Sequence, residues 1–78
     1  MTHNLKIQEE YYIAVLEGRK RFEIRKNDRR FQVGDVVILN EVIGDQCDYS
    51  GRSLKVRIIY ITEYEQKKDN VVFGFEMI

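Results

Sequence analysis

The sequence has no proline, a single cysteine and a single histidine, and a formal net charge of zero. One cysteine, Cys47, excludes an internal disulfide, and with only His3 beside it there is no Cys/His cluster at the spacing of a structural zinc site. No cofactor and no metal are therefore expected. No stretch approaches the roughly 18 apolar residues of a helical membrane span, and Met1-Thr2-His3-Asn4 lacks the basic-then-apolar start of a signal peptide. The reading is a soluble cytoplasmic protein without a membrane partner. Zero net charge also removes any general attraction to polyanions, so an anion-directed function needs its charge segregated.

What is present fits a folded chain. With 44% hydrophobic residues and nine aromatics in 78 residues, the composition is that of one compact domain, 1–78. A domain this short buries only about 60% of the surface its unfolded chain exposes, so its core is small.

The charge is segregated. From Arg19 to Arg30 there are seven cations (Arg19, Lys20, Arg21, Arg25, Lys26, Arg29, Arg30) against two acids, Glu23 and Asp28, a local charge of +5. Arg21-Phe22-Glu23-Ile24-Arg25 alternates with period two, which predicts a strand that buries Phe22 and Ile24 and aligns Arg21, Glu23 and Arg25 on its other face. On an exposed edge such a row is a solvated ladder; in a cleft it orients a polar or anionic ligand, the arginines donating as a fixed fork and the carboxylate accepting.

Around this stretch the chain reads as scaffold. His3 to Ile7 alternates as a short strand with Leu5 and Ile7 on one side, and His3 is read as a surface or core-flanking residue outside any site. Gln8 to Glu17 reads as a helix with Glu9 and Glu10 in its first turn, Tyr12, Val15 and Leu16 on its buried face, and Gly18 ending it in the left-handed conformation. Lys26 to Arg30 is a polar loop, after which Phe31 and Val33 anchor the chain and Gly34-Asp35 turns it into Val36–Val42, an apolar strand read as the spine of a sheet. Gly44 to Gly51 is a hairpin loop, and Arg52 to Tyr64 is a long strand that bends, because its second half is apolar on both faces. Val71 to Ile78 closes the chain, with Gly74 marking a bend or a close backbone approach. One helix and five strands predict an α+β, mostly-β fold: a small, curved, mostly antiparallel barrel with the N-terminal helix over an open end, and a ligand cleft between helix and barrel.

Gly18-x-Lys20-x-x-Glu23-x-Arg25, with Val33-Gly34-Asp35 opening a strand after it, resembles the signature of the ASCH domains, a branch of the PUA-like superfamily of small β-barrels. His3-x-Leu5-Lys6-Ile7, Phe22 to Arg29 and Phe31-x-Val33-Gly34-Asp35 look more closely like an uncharacterised ASCH-related family of phages and bacteria. The resemblance implies a PUA-like barrel whose cleft binds RNA or a nucleotide-like ligand, with Lys20, Glu23 and Arg25 lining it and Lys26, Asn27 and Arg29 at its rim. Some small ASCH proteins resemble amidohydrolases that remove an acyl group from a modified cytidine, with the signature lysine beside a hydroxyl and a carboxylate. This sequence departs from that pattern: Glu23 stands at the hydroxyl position, and the helical insertion that carries the carboxylate is absent.

Three functional readings fit these residues. A nucleic-acid-binding module would use Arg19, Arg21, Lys26, Arg29 and Arg30 on phosphates, Glu23, Arg25 and Asn27 on base edges, and Phe31 or Tyr49 for stacking, with Phe31 better explained as core. An amidohydrolase would use Lys20 and Glu23 as its catalytic pair; Cys47, Ser50 and Ser53 are nucleophiles by type only. A protein-interaction adaptor would use the basic loop as a docking surface. Binding ranks first and catalysis second.

Overall fold

The computed structural model describes residues 1–78, in the order β1 (Thr2–Gln8), α1 (Glu9–Leu16), β2 (Phe22–Lys26), β3 (Val36–Ile43), β4 (Asp48–Thr62) and β5 (Asn70–Met77). The five strands form one sheet in the order β1-β3-β4-β5-β2. Three of its four ladders are antiparallel, and β1 runs parallel to β3. The result is a curled half-barrel with one short helix, the mostly-β curved fold expected from the strand pattern.

The core follows the alternation. His3, Leu5 and Ile7 of β1 point inward, as do Val37 and Leu39 of β3, Val56 and Ile58 of β4, and Val71, Phe73 and Phe75 of β5. Full burial of a side chain such as Phe73 or Leu39 contributes about 1.5–3 kcal/mol. From α1, Tyr12 and Val15 complete this core, but Leu16, expected beside them, is exposed, because the eight-residue helix ends there. Gly18 takes a φ of 79° just past the Glu17 cap, and the amides of Arg19 and Lys20 both donate to the Ala14 carbonyl.

Several expectations need correction. β4, not β3, is the middle of the sheet, although β3 is flanked on both sides. The hairpin loop is shorter than expected, since β4 starts at Asp48. The anchor at the 31–35 turn is Phe31 alone: Val33 is exposed. The bend in β4 is real, and it is a register shift between Ile58 and Tyr60. One extra residue there reverses the facing of the strand beyond it, so Tyr60 turns outward and Ile61 packs on the core.

Curling brings the sheet's two edge strands, β1 and β2, toward each other without joining them by a backbone ladder. Arginine side chains span the seam instead: Arg25 Nη2 donates to the Lys6 carbonyl and Arg29 Nη1 to the Asn4 carbonyl, both at 2.6 Å. Asn4 and Lys6 are two apart on β1, so both carbonyls point to the same unpaired edge.

Candidate functional site

β2 emerges from the Gly18 turn beside α1, and its facing is the reverse of the expected one. Glu23 is 5% exposed, whereas Phe22 is 46% and Ile24 52% exposed. The apolar pair lies on the outer surface of the sheet, and the polar set turns in. Inward burial of Glu23 is tolerable because its carboxylate is paired twice: Lys20 Nζ contacts Oε1, and Arg25 Nε donates to Oε2 at 2.8 Å. Lys20 Nζ also donates to the Phe22 carbonyl at 2.7 Å.

This trio lines an open cleft between the end of β1, the start of α1 and β2. Its larger part, about 350 Å³, is bordered by Lys6, Gln8, Tyr11, Glu23, Arg25 and Cys47; a second part continues along Tyr11, Lys20, Phe22 and Ile24. Tyr11 is half-exposed and has Lys20 Nζ 5.6 Å from its ring centroid. Lys6 Nζ lies 5.3 Å from the ring centroid of Tyr49, which is exposed. Tyr11 thus gives the cleft a cation-paired aromatic face, while Tyr49 lies beside Lys6 outside the lining.

The other basic residues of the 19–30 stretch are dispersed. Arg19 pairs with Glu17 at 2.6 Å, and Arg21, which precedes the strand, donates to the Gly18 carbonyl at 3.3 Å, so the predicted Arg21-Glu23-Arg25 row is replaced by Lys20-Glu23-Arg25. Arg29 closes the seam. The Asn27 side chain accepts from the Phe31 amide at 3.0 Å, which closes its own turn. Lys26 and Arg30 are exposed with no side-chain hydrogen bond or ion pair, Arg30 at a φ of 51°, and neither lines the cleft at whose rim Lys26 was expected. Phe31 is core, with His3 edge-on at 4.9 Å. Of the residues considered as nucleophiles, Cys47 alone borders the cleft, with Gln8 Nε2 at 3.5 Å from its sulfur; Ser50 and Ser53 do not line it.

Two buried carboxylates, each paired with a side chain distant in sequence, lie outside the cleft. His3 Nε2 is 2.8 Å from Asp35 Oδ2 in the core, so His3 is a buried residue and not a surface one. Burial pushes the Asp35 carboxyl up, but hydrogen bonds from His3, the Gln32 amide and the Met1 ammonium outweigh it and hold the group below its ordinary value. Glu41, 1% exposed, is held by the Arg52 fork at 2.9 and 2.7 Å, with the guanidinium 4.9 Å from the Tyr12 ring centroid. Arg52 and Ser50 hold the Glu41 carboxyl low against its burial, and Glu41 in turn raises Arg52. The one available signal is an acid inside the apolar run Val36–Val42. No group of three or more His, Cys, Asp or Glu side chains converges as a metal site.

Fold and cleft together define a small half-barrel domain with a charged, ion-paired cleft at its open seam. The chain belongs to the family described as Domain of unknown function (DUF3850), whose profile matches residues 2–75. It is also similar to a protein of Escherichia phage P2 titled "Uncharacterized 12.9 kDa protein in GpA 3'region", 41% identical over 61 residues. The match covers 78% of this chain and 54% of the phage protein, so the chain spans about half the length of that relative. No helix is long and apolar enough to cross a membrane.

Proposed function

We propose that the chain is a small nucleic-acid-binding module that takes one unpaired nucleotide of a single-stranded RNA in the cleft beside Lys20, Glu23 and Arg25. The observation that carries this reading is the trio itself: a nearly buried carboxylate, held by two cations, bordering an open cleft of about 350 Å³. That volume lies at the low end of small-ligand sites, suited to a nucleoside and too small for a duplex. Glu23 supplies acceptors for an exocyclic amino group and Lys20 and Arg25 supply donors, the pattern by which unpaired bases are read on their edges. Tyr11 gives a half-exposed ring for stacking. Lys6 on the cleft wall, and Lys26 and Arg30 exposed beyond it, have no acidic partner and are available to phosphates. The ASCH and PUA-like resemblance of the Gly18 to Arg25 signature agrees with this reading, and under it the half-barrel is a reduced PUA-like fold.

Fluorescence anisotropy of a short single-stranded RNA across a salt series tests it. Each neutralised phosphate contributes about −0.7 to the slope of log affinity against log salt. Lys26→Ala with Arg30→Ala, which leaves the trio and the seam intact, flattens that slope by about 1.4. Absence of binding at low salt overturns the proposal, and a partner captured equally after nuclease treatment favours the adaptor reading.

A second reading has one observation in its favour. The direct Lys20–Glu23 contact is the kind of pair that passes a proton, as removal of an acyl group from a modified cytidine requires. Cys47 is the nucleophile type nearest that pair, yet its neighbour in the cleft is Gln8, not a base. Incubation with an acylated cytidine, monitored by absorbance, decides: turnover lost in Lys20→Ala supports hydrolysis, and no turnover removes it.

A further inference from the structure

The outer face of β2, β5 and β4 holds a glycine the fold does not require. Gly74 lies mid-strand between Phe73 and Phe75, whose buried rings point inward, so its own position faces out. Its φ is not positive, unlike those of Gly18, Gly34, Gly44 and Gly51. A Cβ there would meet the Arg21 carbonyl oxygen at 3.8 Å and Tyr60 Cβ at 4.0 Å, ordinary contacts. Gly74 pairs with Tyr60 directly past the register shift of β4, yet its φ and these contacts admit a side chain, so the retained glycine points to a use for the empty space.

The registers put an aromatic residue on each side of that space. Gly74 pairs with Phe22 of β2, which is half-exposed, and with Tyr60 of β4, which is largely exposed. The two rings are rooted about 10 Å apart, two strand spacings. One planar ring inserted between them has about 5 Å to each neighbour, the separation of offset-stacked aromatics. Phe22 and Tyr60 do not fill the gap by pairing; the ring pairs of the protein are His3–Phe31, Phe31–Phe73 and Phe73–Phe75.

The charge of this face selects the occupant. Its charged residues on β2, β5 and the adjoining part of β4 are Lys26, Lys55, Arg57 and Glu76; Glu76 lies 3.8 Å from Arg57, Lys26 shares a hollow with Asp28, Glu63 and Asp69, and Lys55 has no acidic partner. The ring walls accept a planar base, and Lys55 together with the Lys20 ammonium 5.1 Å from the Phe22 ring supplies positive charge for its backbone, so a polyanion with planar bases satisfies both features. The slot is also continuous with the cleft, since Lys20 Nζ lies 5.1 Å from the Phe22 ring centroid and the cleft runs along Phe22.

We infer that the gap over Gly74 between Phe22 and Tyr60 is a second base-stacking subsite, which takes the nucleobase next to the one in the cleft. The inference rests on the nucleic-acid reading above. Gly74→Val fills the slot with a strand-favouring side chain, and Tyr60→Ser removes one wall without adding bulk; thermal melts establish that each is folded. Either change lowers affinity for a single-stranded RNA hexamer about tenfold. Neither alters affinity for a mononucleotide, and neither alters the salt slope, because stacking neutralises no phosphate. In Phe22→Trp the hexamer quenches indole fluorescence, and adding Gly74→Val suppresses the quenching. Hexamer binding unchanged by both variants, with unquenched indole, overturns the subsite and leaves the cleft standing. No binding of either ligand overturns both. Loss of a dimer in sedimentation, with RNA affinity untouched, assigns the face to a second copy and overturns the inference.

Discussion

Arg25 and Glu23 occupy alternate positions on one short strand, 2.8 Å apart, and the same guanidinium crosses the open seam of the sheet to the Lys6 carbonyl at 2.6 Å. One side chain therefore neutralises a buried acid and ties β2 to β1. A stability role and a ligand role coincide in this residue, and variants have to separate them.

Arg25→Ala removes both bonds and leaves Glu23 with Lys20 alone. The expected loss is about 1–3 kcal/mol, which lowers the melting temperature by about 5–15 °C for a domain this size. Arg25→Lys recovers only part of it, because one ammonium cannot donate in two fixed directions. Thermal unfolding monitored by circular dichroism checks the ranking wild type, Arg25→Lys, Arg25→Ala; equal melting temperatures would contradict the seam assignment.

Asp35 gives the stability curve an acid limb. Its folded value lies below the ordinary 3.8, so its contribution is present above that value and is lost as pH falls through the lower folded value. Glu41 acts in the same sense from its ordinary 4.5. Asp35→Asn and Glu41→Gln are therefore each less stable than wild type at neutral pH and approach it as the solution is acidified below about 4. Denaturant midpoints measured from neutral pH down through this acid limb check the trend, and a gap independent of pH would contradict it.

Arg52→Met leaves the Glu41 carboxylate buried without its fork and lowers the denaturant midpoint; adding Glu41→Leu restores much of the loss, since an apolar pair needs no compensation there. A double variant no better than Arg52→Met would show that the pair is not the governing contact.

Gly74→Val raises stability by about 0.5–1 kcal/mol if the glycine is free of structural duty, because the strand loses a flexible residue and gains a β-branched one. A marked fall in melting temperature would mean that the backbone near Arg21 needs the glycine after all.

The elements are easier to read from the sequence than their facing. Tyr12, Val15, Phe31 and the Val56/Ile58 pair follow from spacing, and the double-sided apolarity after Ile58 correctly signals the bend in β4. Phe22, Glu23 and Ile24 read the wrong way round because period two gives two faces and only hydrophobicity chooses between them. Here the choice is made by Lys20 and Arg25, which neutralise the inward Glu23 from before and after it, while Phe22 and Ile24 are left on the outer surface. His3–Asp35 and Glu41–Arg52 join residues 32 and 11 positions apart, pairings that no local pattern encodes. The cleft between helix and barrel is legible because the basic stretch starts at a helix end fixed by Gly18.

The central claim, that the cleft beside the trio takes an unpaired nucleotide, is tested most directly by tracking backbone amide resonances during titration with a short single-stranded RNA. The account predicts saturable shifts centred on Gln8, Tyr11 and Lys20 to Arg25, weakened by added salt. Shifts confined to the turn at residues 64–68, which lies outside the cleft, or none at low salt, would contradict it.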